Sequence, residues 1–329
     1  MKRVYFVDNI SAICLFHVIF IIHCARLSGI DNGITKVLMT FMCFCMPWFY
    51  FKSGLFYKAR SCREEFFKNA HHLLKPFIIY SFLGWIPIVL VKGLVIEKNS
   101  IDFLLEDTFV HFLSDGSIRG NYALWFLLSL FVVKQVFQVL KKLSVPTSLI
   151  LFFSVLVALY RQYNDALPVY IGNVGNGLFF YTLGFLISRV KNMKVSYLFP
   201  FGMGIGLFLY PRYLDFRASV VWGGNNKLLY WLFAECFCVV TLAVIYILGT
   251  KYNKKIQILT AFGQKTMLFY VFHYIILVVS YNFLRMFLKI ENPYGLFMIN
   301  TMILIFSFFL LYVLYKKSKW LRYSLGERI

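Results

Sequence analysis

The chain has 329 residues, of which 60% are hydrophobic and only 15% charged, and its mean hydropathy is +0.71. Soluble domains are roughly 45–50% apolar and about 25% charged, so 34 basic and 14 acidic side chains are too few to solvate the two domains this length would build. These figures exclude an ordinary soluble enzyme, a disordered chain and a small disulfide scaffold, and they predict an all-α polytopic membrane helix bundle, one integral-membrane unit over residues 1–329.

A spanning helix needs about 20 mostly apolar residues. In chain order the predicted spans are Tyr5–Cys24, Val37–Tyr57, Phe77–Ile96, Tyr122–Leu140, Ser148–Tyr160, Gly175–Val190, Val195–Tyr210, Leu228–Leu248, Met267–Phe287 and Gly295–Tyr315, about ten in all. The fifth to seventh are short, and no internal repeat is visible. No small-residue cleavage site follows the first span, which is therefore expected to stay as a helix and not to be removed as a signal peptide.

The net charge of +20 would point to nucleic acid in a soluble protein, but here the basic residues are scattered through short connections. No basic stripe is interleaved with stacking aromatics, so no nucleic-acid partner is expected. The amino terminus, Lys58–Lys75, Lys141–Lys142, Arg189–Lys194, Lys251–Lys255 and the tail 316–329 together hold roughly twice the Lys and Arg of the alternate connections. That bias places both termini in the cytoplasm. Two connections are longer than turns. Lys58–Lys75 is basic and amphipathic, with Phe66, Phe67, Leu73 and Leu74 as an apolar edge and His71 and His72 expected in solvent. Residues 97–121, on the outer side, hold Glu97, Asp102, Glu106, Asp107 and Asp115, and their apolar residues recur at helical spacing, as in a short helix lying on the membrane surface.

The seven cysteines fit neither a zinc pattern nor a disulfide framework, and the pairs Cys43/Cys45 and Cys236/Cys238 are expected to pack; no metal site is expected. Ionisable residues inside a span are costly and therefore the first candidates for function. The first span holds Asp8, His17 and His23, followed by Arg26. At about 100° per residue, Asp8, His23 and Arg26 share one side of the helix and His17 faces the other, while the rise puts His23 about 22 Å beyond Asp8. A neutral imidazole in a shielded site can accept a proton from a hydroxyl; it can equally bridge two helices. Glu235 is the only acid deep in a later span and needs a partner such as His23, Arg26 or His273 if it is ionised. No Gly-rich phosphate loop or Ser nucleophile elbow stands out.

Asp8-Asn9-Ile10 … His23, followed by Met46-Pro47-Trp48-Phe49-Tyr50-Phe51-Lys52-Ser53-Gly54, resembles the opening of the acyltransferase 3 family of multi-pass membrane O-acyltransferases. Leu73-Leu74-Lys75-Pro76-Phe77, Leu124-Trp125-Phe126-Leu127, Phe180-Tyr181-Thr182-Leu183-Gly184 and Gly263-Gln264-Lys265-Thr266-Met267 … His273 are similar to its later landmarks, in the same order. Two departures stand out. The family usually carries Arg or Lys three residues after the Asp, where this chain has Ser11; Arg3, Arg60 or Arg63 are candidate substitutes. The family histidine usually falls 14 residues after the Asp, and His23 falls at 15, which turns an α-helical side chain by about 100°.

The resemblance implies transfer of an acetyl or similar short acyl group from acetyl-CoA to a hydroxyl of a surface polysaccharide or its lipid-linked precursor, in the inner membrane of a bacterium, without a tightly bound cofactor. It makes His23 the catalytic base, with Asp8 and Glu235 as catalytic candidates. Arg60, Arg63, Lys75 and Trp125 are then candidates for binding the donor, the two arginines by gripping phosphate from one helix face. Rival readings are a transporter or flippase, with broken helices near Gly202, Gly204 and Gly206 lining a path, and a non-catalytic partner in a glycan-assembly complex.

Overall fold

A computed structural model of the protein describes residues 4–30, 32–87, 100–163, 168–189 and 227–327, and among them every regular element is a helix. In chain order these are α1 (Tyr5–Ala25), α2 (Gly33–Phe41), α3 (Cys45–Leu55), α4 (Cys62–Asn69), α5 (Lys75–Trp85), α6 (Ile101–Asp115), α7 (Trp125–Lys142) and α8 (Thr147–Tyr163). They continue as α9 (Val169–Ile187), α10 (Lys227–Lys251), α11 (Gln257–Gly263), α12 (Thr266–Met286), α13 (Pro293–Lys317) and α14 (Lys319–Ser324).

Five described helices are long and apolar enough to cross a membrane: α1, α7 with its leading turn from Tyr122, the Ala234–Lys251 part of α10, α12 and α13. Along α13 the side chains of Met302, Ile305, Phe306, Phe309 and Leu310 are exposed, an arrangement suited to lipid and not to water. Three of the remaining expected spans take other forms. Val37–Tyr57 is divided into α2 and α3 because Pro47 has no N–H and its ring opposes the carbonyl of Cys43, which forces a break at residues 42–44 and leaves Pro47 in the first turn of α3. Ser148–Tyr160 lies in α8, which is apolar but shorter. Gly175–Val190 falls in α9 as far as Ile187, where the helix ends, and α9 is enclosed by α3, α7 and α8. Phe77–Ile96 is described only as far as residue 87, and Val195–Tyr210, with Gly202, Gly204 and Gly206, lies outside the described residues.

Small residues set a close helix contact between α3 and α9. A Cβ on Gly184 would lie 2.0 Å from the Phe51 carbonyl oxygen, and one on Gly54 would lie 1.9 Å from that of Tyr181, so α3 and α9 touch backbone to backbone. The short helix expected between residues 97 and 121 is present as α6, capped by Ser100, whose Oγ accepts from Phe103 N (3.2 Å), and ended by Gly116 in the left-handed conformation (φ 77°). It exposes Phe103, Leu105, Phe109 and Leu113 and is pinned to the following loop by the Arg119–Asp107 pair at 2.6 Å.

Several of the segments grouped by their basic charge are joined by polar contacts at one end of the bundle; Arg189–Lys194 is described only at Arg189. Phe6 N donates to Asn253 Oδ1 (3.0 Å), Asn9 Nδ2 to the Lys254 carbonyl (2.9 Å), and Thr260 Oγ1 to Asn9 Oδ1 (2.7 Å). Lys265 reaches Tyr315 and Glu327, the Tyr80 hydroxyl meets Ser324 Oγ at 2.7 Å, and Gln138 Nε2 donates to the Arg60 carbonyl. The amino terminus, the 58–75 segment, the end of α7, the α10–α11 connection and α14 are thus tied together.

Candidate active site

From His17 to Ala25, α1 is wound as a π-helix. A π turn holds about one residue more than an α turn, so it takes up the rotation that the extra residue between Asp8 and His23 would otherwise impose. His23 is thereby aimed at α12, where its Nδ1 lies 2.8 Å from His273 Nε2, the two rings roughly parallel with centroids 5.0 Å apart. His273 is fully buried, and its Nδ1 lies 2.6 Å from the Tyr270 carbonyl oxygen one helical turn earlier. A carbonyl only accepts, so His273 Nδ1 carries the hydrogen and the neutral ring offers its Nε2 lone pair to the N–H at His23 Nδ1. That chain leaves the Nε2 of His23 as a lone pair facing outward from the dyad. Tyr274 stands edge-on to His23 at 5.3 Å, and Tyr122 edge-on to Tyr274 at 6.2 Å.

A cavity of about 130 Å³ is lined by Leu15, Val18, Met46, Phe49, Lys52, Ser53, Leu73, Phe126, Leu127, Leu130, Thr266, Met267 and Tyr270, and neither histidine of the dyad is part of its wall. Tyr270 joins it to the dyad: its ring is 5.6 Å from that of His273, and its hydroxyl donates to the Ala123 carbonyl. The lining is largely apolar, with Ser53, Thr266 and Tyr270 and a single cation, Lys52. Its Nζ donates to Ser11 Oγ at 2.9 Å, Trp48 Nε1 donates to the same oxygen at 3.0 Å, and the Ser11 hydroxyl donates to the Val7 carbonyl at 2.7 Å. Position 11 thus has a basic group beside it, brought from α3, while Arg60 and Arg63 line a groove elsewhere and Arg3 lies outside the described residues. Lys52 stood in the sequence as an ionisable residue inside an apolar run, which is the signal that identifies it.

A groove of about 730 Å³ opens at the surface of the same end, lined by Arg60, Arg63, Glu64, Phe67, Lys68 and His71. The expected pairing of the two arginines on a helix face is corrected here. Ser61 caps α4, its Oγ accepting from Glu64 N at 3.2 Å while Glu64 Oε2 accepts from Ser61 N at 3.3 Å, so Arg60 precedes the helix. Both side chains line the groove nonetheless. Glu65, buried beneath it, draws Arg60 (3.8 Å), Lys68 (3.7 Å) and Lys134 (3.7 Å). The π turn Ala70–Leu74 between α4 and α5 divides the two hollows, with His71 on the groove and Leu73 on the cavity.

The other candidates fall elsewhere. Asp8 sits at the basic end, its carbonyl so close to α11 that a Cβ on Gly263 would lie 1.8 Å away, with Gln264 Nε2 3.5 Å from its carboxylate. Lys75 is covered by the tail: its Nζ is 3.4 Å from the Tyr323 ring centroid and 3.3 Å from His71 Nδ1. Trp125 packs edge-on to Phe126, and it is Phe126 and Leu127 that line the cavity in its place. Glu235 is buried, with neither carboxyl oxygen hydrogen-bonded among the described residues, and it joins none of His23, Arg26 or His273. His17, expected to face away from the interior, is buried at 6% exposure because α1 is covered on more than one side, whereas Arg26, expected inside, is exposed. All seven cysteines are free thiols.

Comparison with known proteins gives one positive finding: the family model for Acyl_transf_3, described as an acyltransferase domain, matches residues 4–316. No curated protein and no solved structure matches.

Proposed function

Because the chain belongs to the acyltransferase 3 family, and is thus an acyltransferase built of membrane-spanning helices, we propose that it moves an acetyl or similarly short acyl group from acyl-CoA to a hydroxyl of a surface polysaccharide or its lipid-linked precursor. The observation that carries this reading is the His23–His273–Tyr270 chain, which leaves a lone pair at His23 Nε2 and is linked through Tyr270, though not through either histidine, to a largely apolar cavity. In the proposed reaction the acceptor oxygen attacks the thioester carbonyl while its proton passes to His23 Nε2. The tetrahedral intermediate then collapses with breakage of the C–S bond, and the departing CoA sulfur takes up the proton from His23. His273 holds the ring in the basic tautomer, as a positioning residue. Asp8 acts at the basic end through Lys52, which its charge attracts, and Glu235 is left without a role in the step.

The size of the cavity supports a short acyl chain, since an apolar cavity of about 150 Å³ accommodates a benzene-sized ligand and this one is about 130 Å³. Donor nucleotide is assigned to the Arg60/Arg63 groove on the basic end, taken as cytoplasmic, and acceptor to the end bearing Tyr274 and Tyr122. The enzyme is placed in the bacterial inner membrane. The test is purified protein in lipid vesicles with acetyl-CoA and lipid-linked glycan, read by CoA release and by a glycan mass gain of one acetyl group. Wild type should give both, and His23→Ala should give neither while remaining monodisperse. Unchanged turnover in His23→Ala would overturn the mechanism.

A further inference from the structure

We propose that Lys52 is an anion subsite at the mouth of the cavity, taking a phosphate oxygen of the acyl-CoA donor as the thioester arm passes from the surface groove toward the histidines. This rests on the acyl-transfer reading above. The Ser11 hydroxyl is saturated: it accepts from Trp48 and Lys52 and gives its own hydrogen to Val7. It can therefore fix the Lys52 ammonium in place without neutralising it. An ammonium has three donors, and Ser11 takes one. The Phe49 ring lies 5.1 Å away; the Asp8 charge attracts Lys52 from a distance, but no ion pair at contact distance holds Lys52 among the described residues.

A cation kept in a largely apolar wall is costly unless something anionic visits it. Its position identifies the visitor. Lys52 lies one turn from the end of α3, on the same end as Arg60 and Arg63, and shares the cavity wall with Leu73, two residues from His71 on the surface groove. A donor whose nucleotide rests in that groove would reach around the π turn Ala70–Leu74 to enter the cavity, on whose wall Lys52 is the one cation. Because Ser11 Oγ lies 2.9 Å from Lys52 Nζ, an arginine at position 11 would return a cation to the same neighbourhood in a protein that has lost the one at position 52.

The experiment compares wild type, Lys52→Met, Lys52→Arg and the double variant Lys52→Met/Ser11→Arg in lipid vesicles, each with two donors. One is acetyl-CoA; the other is S-acetyl-N-acetylcysteamine, a thioester without phosphates. Lys52→Met should raise the KM for acetyl-CoA about tenfold or more with kcat little changed, and leave KM for the phosphate-free donor as in wild type. Lys52→Arg and the double variant should recover most of the loss. An equal loss with both donors, or none with either, overturns the proposal, and Lys52→Gln serves the same comparison if the methionine variant does not extract as a monodisperse species. These outcomes are separable from failure of the wider reading, which would appear as absent turnover in wild type or undiminished turnover in His23→Ala.

Discussion

At the scale of single residues, the dyad differs from an imidazole steered by a carboxylate. A carboxylate would both orient the ring and stabilise the imidazolium formed when it takes a proton; a second neutral imidazole ending on the Tyr270 carbonyl chiefly orients it. The consequence is testable at His273. Leucine there removes the acceptor for His23 Nδ1, freeing the ring to rotate and to exchange tautomers. Glutamine keeps an acceptor oxygen at comparable reach. His273→Leu is expected to lower kcat about 100-fold, at the lower end of what a positioned base contributes, with the donor KM unchanged. His273→Gln should retain substantially more activity. Equal activity of both variants with wild type, measured as CoA release, would remove His273 from the mechanism.

At the scale of elements, winding and breaks decide where these residues point. The sequence already contained both signals. Pro47 announced the break before α3, yet the apolar run Val37–Tyr57 is so continuous that composition alone reads it as one span. The extra residue between Asp8 and His23 was likewise visible, but straight-helix arithmetic rotates the side chain where the structure instead widens the turn. What could not be read was anything that depends on contact between distant helices: His273 facing His23, Lys52 reaching Ser11, or Tyr323 of α14 covering Lys75. If the π turn exists to absorb one residue, deleting Phe20, a partly buried residue within it, should let the segment close into an α-helix and keep His23 directed at α12. The deletion is expected to retain turnover within about tenfold of wild type, whereas inserting an alanine after Phe20 adds about 100° of rotation and should abolish it. Loss of turnover in both proteins, each folded, would show that the π winding is not a register correction.

At the scale of the molecule, the polar contacts that gather the amino terminus, residues 58–75, the α10–α11 connection and α14 make one end basic, and the acid-bearing α6 marks the other. Donor and acceptor would then meet at His23 from opposite faces of the bilayer, which fixes a requirement on orientation. The basic end must face the compartment that supplies acyl-CoA, in agreement with the direction in which Lys- and Arg-rich connections are retained. Two positions read this directly. Cys62 lies in the basic segment at the start of α4, and Lys289 lies in the connection from α12 to α13 at the far end, where it is exposed. In intact cells whose outer barrier is permeable to small reagents, a membrane-impermeant maleimide should label a Lys289→Cys variant and spare Cys62; Cys62 should react only after the inner membrane is opened. The reverse pattern would put the nucleotide groove on the side without acyl-CoA, and the two-sided route to His23 would then have no donor.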